Sequence, residues 1–414
     1  MDKNHFTNIS LSNQLILLCS RIKVDKNEKD NFEKIIESEG FSWEEILNNA
    51  FRNNILPFVY FHLKNFGLLS KAPAEVKEKF EKFYHFNTAR NAWILLSLEK
   101  IAETFNHQGI PFILIQGSSL LADVYKNPSL RYLSDIDILI KENDSDGIED
   151  ILSPIGWKMS DYPADKSWCL NNLNHLPLFF RPDEPVPLEI HFKLSYPEGT
   201  REGGSEWIWE KTGKGKIRSL EVVIPLPENM ILHLSMHIFK KSHINDLTIL
   251  LRHCCDISAI LERYSGKGID IDGLVLTASK ERLSDVLYHS IKVTHSVIKE
   301  NLLERIIEKI SPEVSTDVKD FSEFVSQCLS RADRSGKVLL DGWGSFFSQK
   351  GAVNKITFFF KHLFPSLDLM EDYYGVSKLK KRIYFYYLLR PFLLAGKFTW
   401  KRIVMSYRIS KVKR

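Results

Sequence analysis

The sequence lacks any apolar segment of the roughly 20 residues that a membrane-spanning helix requires. Its first ten residues, MDKNHFTNIS, also lack the basic and then apolar order of a secretory signal peptide. Only five cysteines occur, and no pair has zinc-site spacing, so we expect reduced, buried thiols. These absences predict a cytoplasmic protein and argue against disulfide-stabilised and membrane-spanning classes.

An excess of one charge is also absent, because the net charge is only +4 over 414 residues. A balance this small does not by itself predict nucleic-acid binding. The exception is the C-terminal end, which has no acidic residue after Asp372 and many basic residues interleaved with aromatics. Such a tail suits an anionic membrane surface, making the protein membrane-peripheral, or less well RNA. The alternative is a helix that packs on the core and keeps a solvated basic end.

Hydrophobic periodicity divides the chain into three regions. Residues 1–105 predict a helical region, residues 106–226 a sheet core, and residues 227–414 a second helical region with the basic aromatic tail. Few helices interrupt the core, so we expect an α+β fold with a mixed, largely antiparallel sheet. The predicted strands are Phe112–Ile115, Ile136–Ile140, Trp157–Ser160, Leu176–Arg181, Leu188–Leu194 and Ile217–Val223, with helices at Leu120–Tyr125 and Asp144–Leu152.

The segment ILIQGSSLLADVYKNPSLRYLSDIDILI carries the clearest chemical signal. Asp135 and Asp137 flank one residue of a predicted strand, so their side chains point to the same face. Neighbouring carboxylates repel each other, and a bound Mg²⁺ makes such a pair tolerable. The Gly117–Ser118 turn opens the predicted helix, where backbone N–H groups attract phosphate. A pair of metal-binding carboxylates beside a phosphate-binding turn is the arrangement that nucleotidyl transfer needs.

A third carboxylate would complete the metal site, and Glu189 in the segment PLEIHF is the candidate. Glu189 and His191 share one strand face. The alternative for Glu189 is an exposed charge on an edge strand. His191 would contact the acceptor, support Glu189 or serve the structure alone. Asp183 and Glu184 are weaker candidates, because they lie among prolines in a predicted turn.

Four further polar residues keep two interpretations each. Arg131 would bind phosphate bidentately or neutralise the aspartate pair when no metal is bound. His233 and His237 lie one helical turn apart, which can suit metal binding, but without a third ligand they are expected to line the cleft or core. Asp256 lies in an apolar helix, so we expect a buried acid that pairs with an arginine or histidine and fixes the fold; the alternative is a part in catalysis.

This combination resembles the DNA-polymerase-beta-type nucleotidyltransferase superfamily. More closely, it resembles a bacterial family of uncharacterised nucleotidyltransferases that is associated with surface-polysaccharide gene clusters. The resemblance covers roughly residues 40–265. One departure is Gln116, where the family has lysine. The positions that match the family pattern are Gly117, Tyr125, Arg131, Asp135, Asp137, Glu189, His191, His233, His237 and Asp256.

The resemblance implies a polymerase-beta-like core and an enzyme that moves a nucleoside monophosphate from a nucleoside triphosphate, ATP among the candidates, to a hydroxyl or phosphate acceptor. It implies Mg²⁺, with Mn²⁺ as a substitute, and a sugar or polysaccharide precursor as acceptor. The alternatives are an AMP-transferring enzyme that acts on a protein, and a non-catalytic membrane-peripheral adaptor. The implied metal ligands and catalytic residues are Asp135, Asp137 and Glu189. The implied substrate-binding residues are Gly117, Ser118, Arg131 and His191.

Overall fold

A computed structural model describes residues 10–24, 26–160, 165–197, 204–243, 247–266 and 268–331. The basic aromatic tail and the predictions made for it lie outside the described residues. Among the helices within these ranges, none is long and apolar enough to cross a bilayer. The division of the chain into three regions stays a prediction.

Among the described residues, five α-helices precede the sheet, in the region that the sequence predicts to be helical. Ser42 caps one of them, because its hydroxyl accepts a hydrogen bond from the backbone N–H of Glu45. The fifth helix is a single 34-residue helix that buries Phe80, Leu98 and Phe105. The bounds are α1 Leu11–Leu18, α2 Lys29–Glu37, α3 Trp43–Arg52, α4 Leu56–Asn65 and α5 Ala74–His107.

The apolar residues of the segment 76–105 predict a wide buried face that includes Phe86, Trp93 and Leu96, and this prediction is wrong for these three. Phe86, Trp93 and Leu96 are exposed by 60, 44 and 45% respectively. These residues lie on a different side of the helix from the buried stripe. The stripe includes Ile94, Leu98 and Ile101, which follow one another at intervals of three or four residues. The apolar character of a residue therefore did not decide its side of this helix.

The core is a mixed five-stranded sheet in the order β1-β2-β5-β4-β3. β2 pairs in parallel with β5, and the other neighbours are antiparallel. This supports the predicted α+β class, although most strands are shorter than predicted. The bounds are β1 Phe112–Leu114, β2 Ile136–Ile140, β3 Lys158–Met159, β4 Phe179–Phe180 and β5 Leu188–His191.

Short helices connect these strands. The predicted helix Leu120–Tyr125 begins earlier, because an α-helical turn runs into a π-helical turn over Leu120–Val124. The bounds of the short helices are α6 Gln116–Ser119, α7 Ile148–Leu152, α8 Lys166–Asn172 and α9 Glu206–Glu210.

The strand predicted at Ile217–Val223 is wrong, because this segment straddles a turn. Two strands, β6 Thr212–Ile217 and β7 Leu220–Pro225, form a separate antiparallel hairpin, with Arg218 at a φ of 53° in the turn. Gly215 in β6 breaks the apolar alternation that marks a strand. A Cβ there would lie 3.0 Å from Ile224 Cγ2 and 3.1 Å from Ala122 Cβ, so only glycine permits this close approach.

Helices follow the hairpin, largely where the sequence predicts them. Asp256, Cys254 and Cys255 are fully buried on the second of these helices. Cys19, Cys254 and Cys255 are free, buried thiols, as predicted, and Cys169 is also buried. The bounds are α10 Pro227–His243, α11 Leu247–Tyr264, α12 Ile271–Lys280, α13 Ser284–Val297, α14 Asn301–Ile310 and α15 Thr316–Arg331.

Candidate functional site

Polar residues that the sequence singles out lie together at one end of strands β1, β2 and β5. β1 runs antiparallel to β2 and β2 runs parallel to β5, so the end of β1 meets the beginnings of β2 and β5. The N–H of Ile115 donates to the carbonyl of Asp137 at 3.3 Å, and the N–H of Ile136 donates to the carbonyl of Pro187 at 3.0 Å. The turn after β1 therefore lies beside the acidic residues of β2.

Asp137, Glu189 and His191 form a largely buried cluster at this end of strands β2 and β5. Asp137 is directly opposite Glu189 in the parallel register, and alternation puts His191 on the same face. One ligand atom from each residue lies within 4.8 Å of the others. His191 Nε2 is 3.1 Å from Asp137 Oδ1 and 3.5 Å from Glu189 Oε2.

The pKa of each residue in the cluster depends on the charges of its neighbours. Burial, together with the charge of Asp135, raises the pKa of Asp137 to about 8. Burial alone would lower the pKa of His191, but hydrogen bonds to Asp137 and Glu189 raise it to about 9. Burial also opposes ionisation of Glu189, yet the bond to His191 lowers its pKa. Placing Asp137 and Glu189 side by side therefore favours a proton or a bound cation between them, and the raised pKa of Asp137 means that its carboxyl group holds a proton at neutral pH in the free protein.

The donor set fits a divalent cation. Asp137 Oδ2 is buried without a hydrogen-bond partner, and such an oxygen is costly unless something binds it. Carboxylate oxygens suit Mg²⁺ and Mn²⁺, and the imidazole nitrogen shifts the preference towards Mn²⁺ and other transition metals. Within the described ranges, this is the one group of three residues whose ligand atoms come together in this way.

Asp135 is not a member of this group. It lies one residue before β2 and is partly exposed, and its charge acts on the pKa of Asp137. The structure thus clusters His191 with Asp137 and Glu189, in the place that the sequence assigned to Asp135. A metal-binding role for Asp135 stays a prediction.

The Gly117–Ser118 turn is fastened directly to β2. The hydroxyl of Ser118, which is fully buried, accepts a hydrogen bond of 3.0 Å from the backbone N–H of Asp137. A Cβ on Gly117 would overlap Leu133 Cδ2, so any other residue here would force the buried Leu133 side chain to move. These contacts position Asp137. A phosphate-binding role for the turn stays a prediction.

Gln116 contacts the carboxylate of Asp137. Its Nε2 donates to Asp137 Oδ1 at 2.9 Å, and its backbone has a positive φ of 49°. Non-glycine residues seldom adopt this conformation, which is often retained at functional sites. Gln116 therefore orients the carboxylate without adding positive charge.

Arg131 and Asp256 form a buried ion pair. Arg131 Nε donates to Asp256 Oδ1 at 2.7 Å, and the Tyr125 hydroxyl donates to the same oxygen at 2.8 Å. Burial opposes ionisation of Asp256, but the charge of Arg131 lowers its pKa to about 2. This confirms the predicted pairing of Asp256. Arg131 thus forms a structural ion pair, which neither role predicted for it describes. Phosphate binding by Arg131 stays a prediction.

Three histidines lie on the adjoining helices. His233 and His237 approach within 3.3 Å through their Nε2 atoms, and the ring of His237 stacks on that of His253 at 5.9 Å. Burial lowers the pKa of His233 to about 3 and that of His253 to about 4, so both rings are neutral at pH 7. His233 and His253 are buried and His237 is partly exposed, which agrees with the expected lining of a cleft or core.

Sequence reasoning missed Asn174 and Arg252. Asn174 Nδ2 lies 3.1 Å from His191 Nδ1 and orients that ring. Asn174 gives no sequence signal, because it lies in an irregular segment between predicted elements. Arg252 did give one, since it is the first charged residue in the apolar helix α11, four positions before Asp256.

Comparison with known protein families agrees with this site. A family described as uncharacterised nucleotidyltransferase matches residues 39–299, which is more than half of the chain. The chain therefore belongs to that family. Searches of curated proteins and of solved structures gave no match.

Proposed function

We propose that this member of the uncharacterised nucleotidyltransferase family is a metal-dependent enzyme that transfers a nucleoside monophosphate from a nucleoside triphosphate to an acceptor. The observation that carries the proposal is the buried cluster of Asp137, Glu189 and His191 beside the Gly117–Ser118 turn. In the reaction, an acceptor oxygen bonds to the α-phosphorus. The bond from that phosphorus to the bridging oxygen breaks, and pyrophosphate leaves.

Asp137 and Glu189 would hold the divalent cation, with His191 as the nitrogen ligand and Asp135 as an additional carboxylate at the edge. Mg²⁺ or Mn²⁺ bound there would neutralise the triphosphate and lower the pKa of the acceptor hydroxyl. The contribution of the protein is positioning. Gln116 and Asn174 orient the carboxylate of Asp137 and the ring of His191 respectively.

The acceptor class follows from the resemblance noted in the sequence. We propose a hydroxyl or phosphate of a sugar, a sugar phosphate or another polysaccharide precursor. An acceptor screen starts from the nucleotide that the protein binds, because the donor identity fixes the labelled substrate.

Isothermal titration tests the proposal. The purified protein is titrated with non-hydrolysable analogues of ATP, CTP, GTP and UTP, with and without Mg²⁺ or Mn²⁺. We expect metal-dependent binding of at least one analogue, and its loss in Asp137→Asn, because that variant removes a buried ligand charge. The matched control is Asp150→Asn, which changes an exposed aspartate on α7 and should bind as the wild type does.

A non-catalytic adaptor is the rival function, and one observation favours it. Gln116 gives this chain a neutral side chain where the family has lysine. A well-folded sample that binds none of the four analogues, with either metal, would contradict nucleotidyl transfer and support the adaptor.

A further inference from the structure

Arg252 is a half-buried cation on α11. Its neighbours along the helix are largely apolar, and among the described residues its buried Nε has no hydrogen-bond acceptor. A donor that is shut off from solvent without an acceptor is costly, so a ligand oxygen at this position would stabilise it.

Helix α11 is held rigidly beside the candidate site. Asp256, in the middle of the helix, joins it to Arg131, and near the C-terminal end Arg263 Nη2 donates to Asp123 Oδ1 at 2.7 Å. Tyr264 donates to the second oxygen of Asp123 at 2.6 Å. Asp123 belongs to the helical turn that follows the Gly117–Ser118 segment. Arg252 therefore projects from a helix that is fixed at two points against that turn.

The charges of the site act on Arg252. Burial, followed by the charge of Arg131, lowers its pKa to about 10, and Asp256, Asp135 and Asp137 oppose this shift. Arg252 thus stays protonated at neutral pH, and the charges of Asp135 and Asp137 at the candidate metal site act on it. Asp256, one helical turn away, has its Oδ1 occupied by Arg131 and Tyr125.

Several buried side-chain atoms in this region have no hydrogen-bond partner, among them Asp256 Oδ2 and His253 Nδ1, and the two that could face a ligand are of opposite kind. Asp137 Oδ2 is a buried acceptor without a donor, and Arg252 Nε is a buried donor without an acceptor. A metal-bound polyphosphate satisfies both, because it brings a cation to the carboxylate and oxygens to the guanidinium. Gln116 leaves the turn without a cation, and Arg131 is committed to Asp256. A cation for the phosphates must then come from elsewhere.

We propose that Arg252 binds the triphosphate of the nucleotide through its planar guanidinium. The inference rests on the proposed nucleotidyl transfer and extends it. It assigns part of substrate recognition to α11, outside the sheet that carries the acidic residues.

The test compares Arg252→Gln and Arg252→Lys with the wild type. Isothermal titration uses the nucleotide analogue that the wild type binds, and inorganic tripolyphosphate, each with the metal. We expect Arg252→Gln to weaken both ligands roughly tenfold or more, as the loss of a charge-assisted hydrogen bond implies. Arg252→Lys should fall between, because an ammonium keeps the charge but not the bidentate geometry. The matched control is Arg305→Gln, which removes an exposed arginine from α14 and should change neither affinity.

Thermal unfolding separates binding from a structural role. Because no internal partner is lost, Arg252→Gln should melt at or above the wild-type temperature. Wild-type affinity in Arg252→Gln would overturn the inference and leave nucleotidyl transfer standing. Weaker nucleotide binding with unchanged tripolyphosphate binding, or lower melting temperatures in both variants, would also overturn it. A folded wild type that binds no nucleotide would overturn both proposals.

Discussion

Replacement of Asp256 by asparagine should destabilise the protein strongly. Asp256 is fully buried, and its Oδ1 accepts hydrogen bonds from Arg131 Nε and the Tyr125 hydroxyl. This pair joins α11 to the segment that leads into β2 and its acidic residues. Asparagine keeps the shape of the side chain but removes its charge, so that Arg131 stays buried without a counter-ion.

Two magnitudes bear on the cost. Burial and Arg131 together leave the pKa of Asp256 at about 2 instead of 3.8, which corresponds to about 2 kcal/mol of preference for the ionised form. That stability is present above pH 3.8 and is lost as the pH falls towards 2. Removing one partner of a buried pair costs about 3–5 kcal/mol, because the other charge stays buried alone. The second effect prevails in Asp256→Asn at pH 7.

Urea unfolding at pH 7, followed by tryptophan fluorescence, measures this cost. We expect the free energy of unfolding to fall by about 3–5 kcal/mol in Asp256→Asn. The double variant Arg131→Met, Asp256→Leu should recover most of it, because it removes both charges. The control Glu78→Gln breaks the exposed Glu78–Lys82 pair and should cost below about 1 kcal/mol.

Two results would refute this reasoning. A cost below about 1 kcal/mol for Asp256→Asn would mean that the pair does not hold α11 in place. A double variant as unstable as the single one would mean that the loss comes from packing and not from the unpaired charge of Arg131.

Three further predictions follow from local contacts. Gly117→Ala should lower the free energy of unfolding by about 1–3 kcal/mol, because the new Cβ would meet Leu133 Cδ2; a wild-type melting curve would contradict this. Gln116→Ala removes the donor to Asp137 Oδ1 and should weaken Mn²⁺ binding several-fold in isothermal titration, whereas unchanged affinity would show that Gln116 does not orient the carboxylate. Burial lowers the pKa of His62 to about 4, so the unfolded chain binds a proton below about 6.5 that the folded chain refuses. Stability should therefore fall by up to about 1.4 kcal/mol per pH unit between 6.5 and 4, and His62→Gln should reduce that slope in denaturation series at pH 7, 6 and 5.

The sequence predicted single elements well where the local pattern was strong. Ile136–Ile140 holds four branched apolar residues beside Asp137, and its bounds are those of β2. The hairpin strand β6, TGKGKI, has two glycines and two lysines in six residues, so it carries no strand pattern. Its contacts with β7 and Ala122 stabilise it instead, and these are not visible in the sequence.

The site needed information that lies between elements. Alternation along β2 and β5 predicted which residues share a face, but not that Asp137 is opposite Glu189, because the sequence does not name neighbouring strands. The partnership of Arg131 with Asp256 spans 125 positions. The sequence predicted that Asp256 would be a buried acid with an arginine or histidine partner. Only the fold identifies that partner as Arg131.

The most direct test of the central claim is an anomalous-diffraction measurement on crystals that contain Mn²⁺ and a non-hydrolysable nucleoside triphosphate. The account predicts a manganese peak bonded to the carboxylates of Asp137 and Glu189, with the triphosphate beside it. The peak should be absent in Asp137→Asn. A nucleotide or manganese ion bound elsewhere, with Asp137 and Glu189 contacting no metal, would contradict the account.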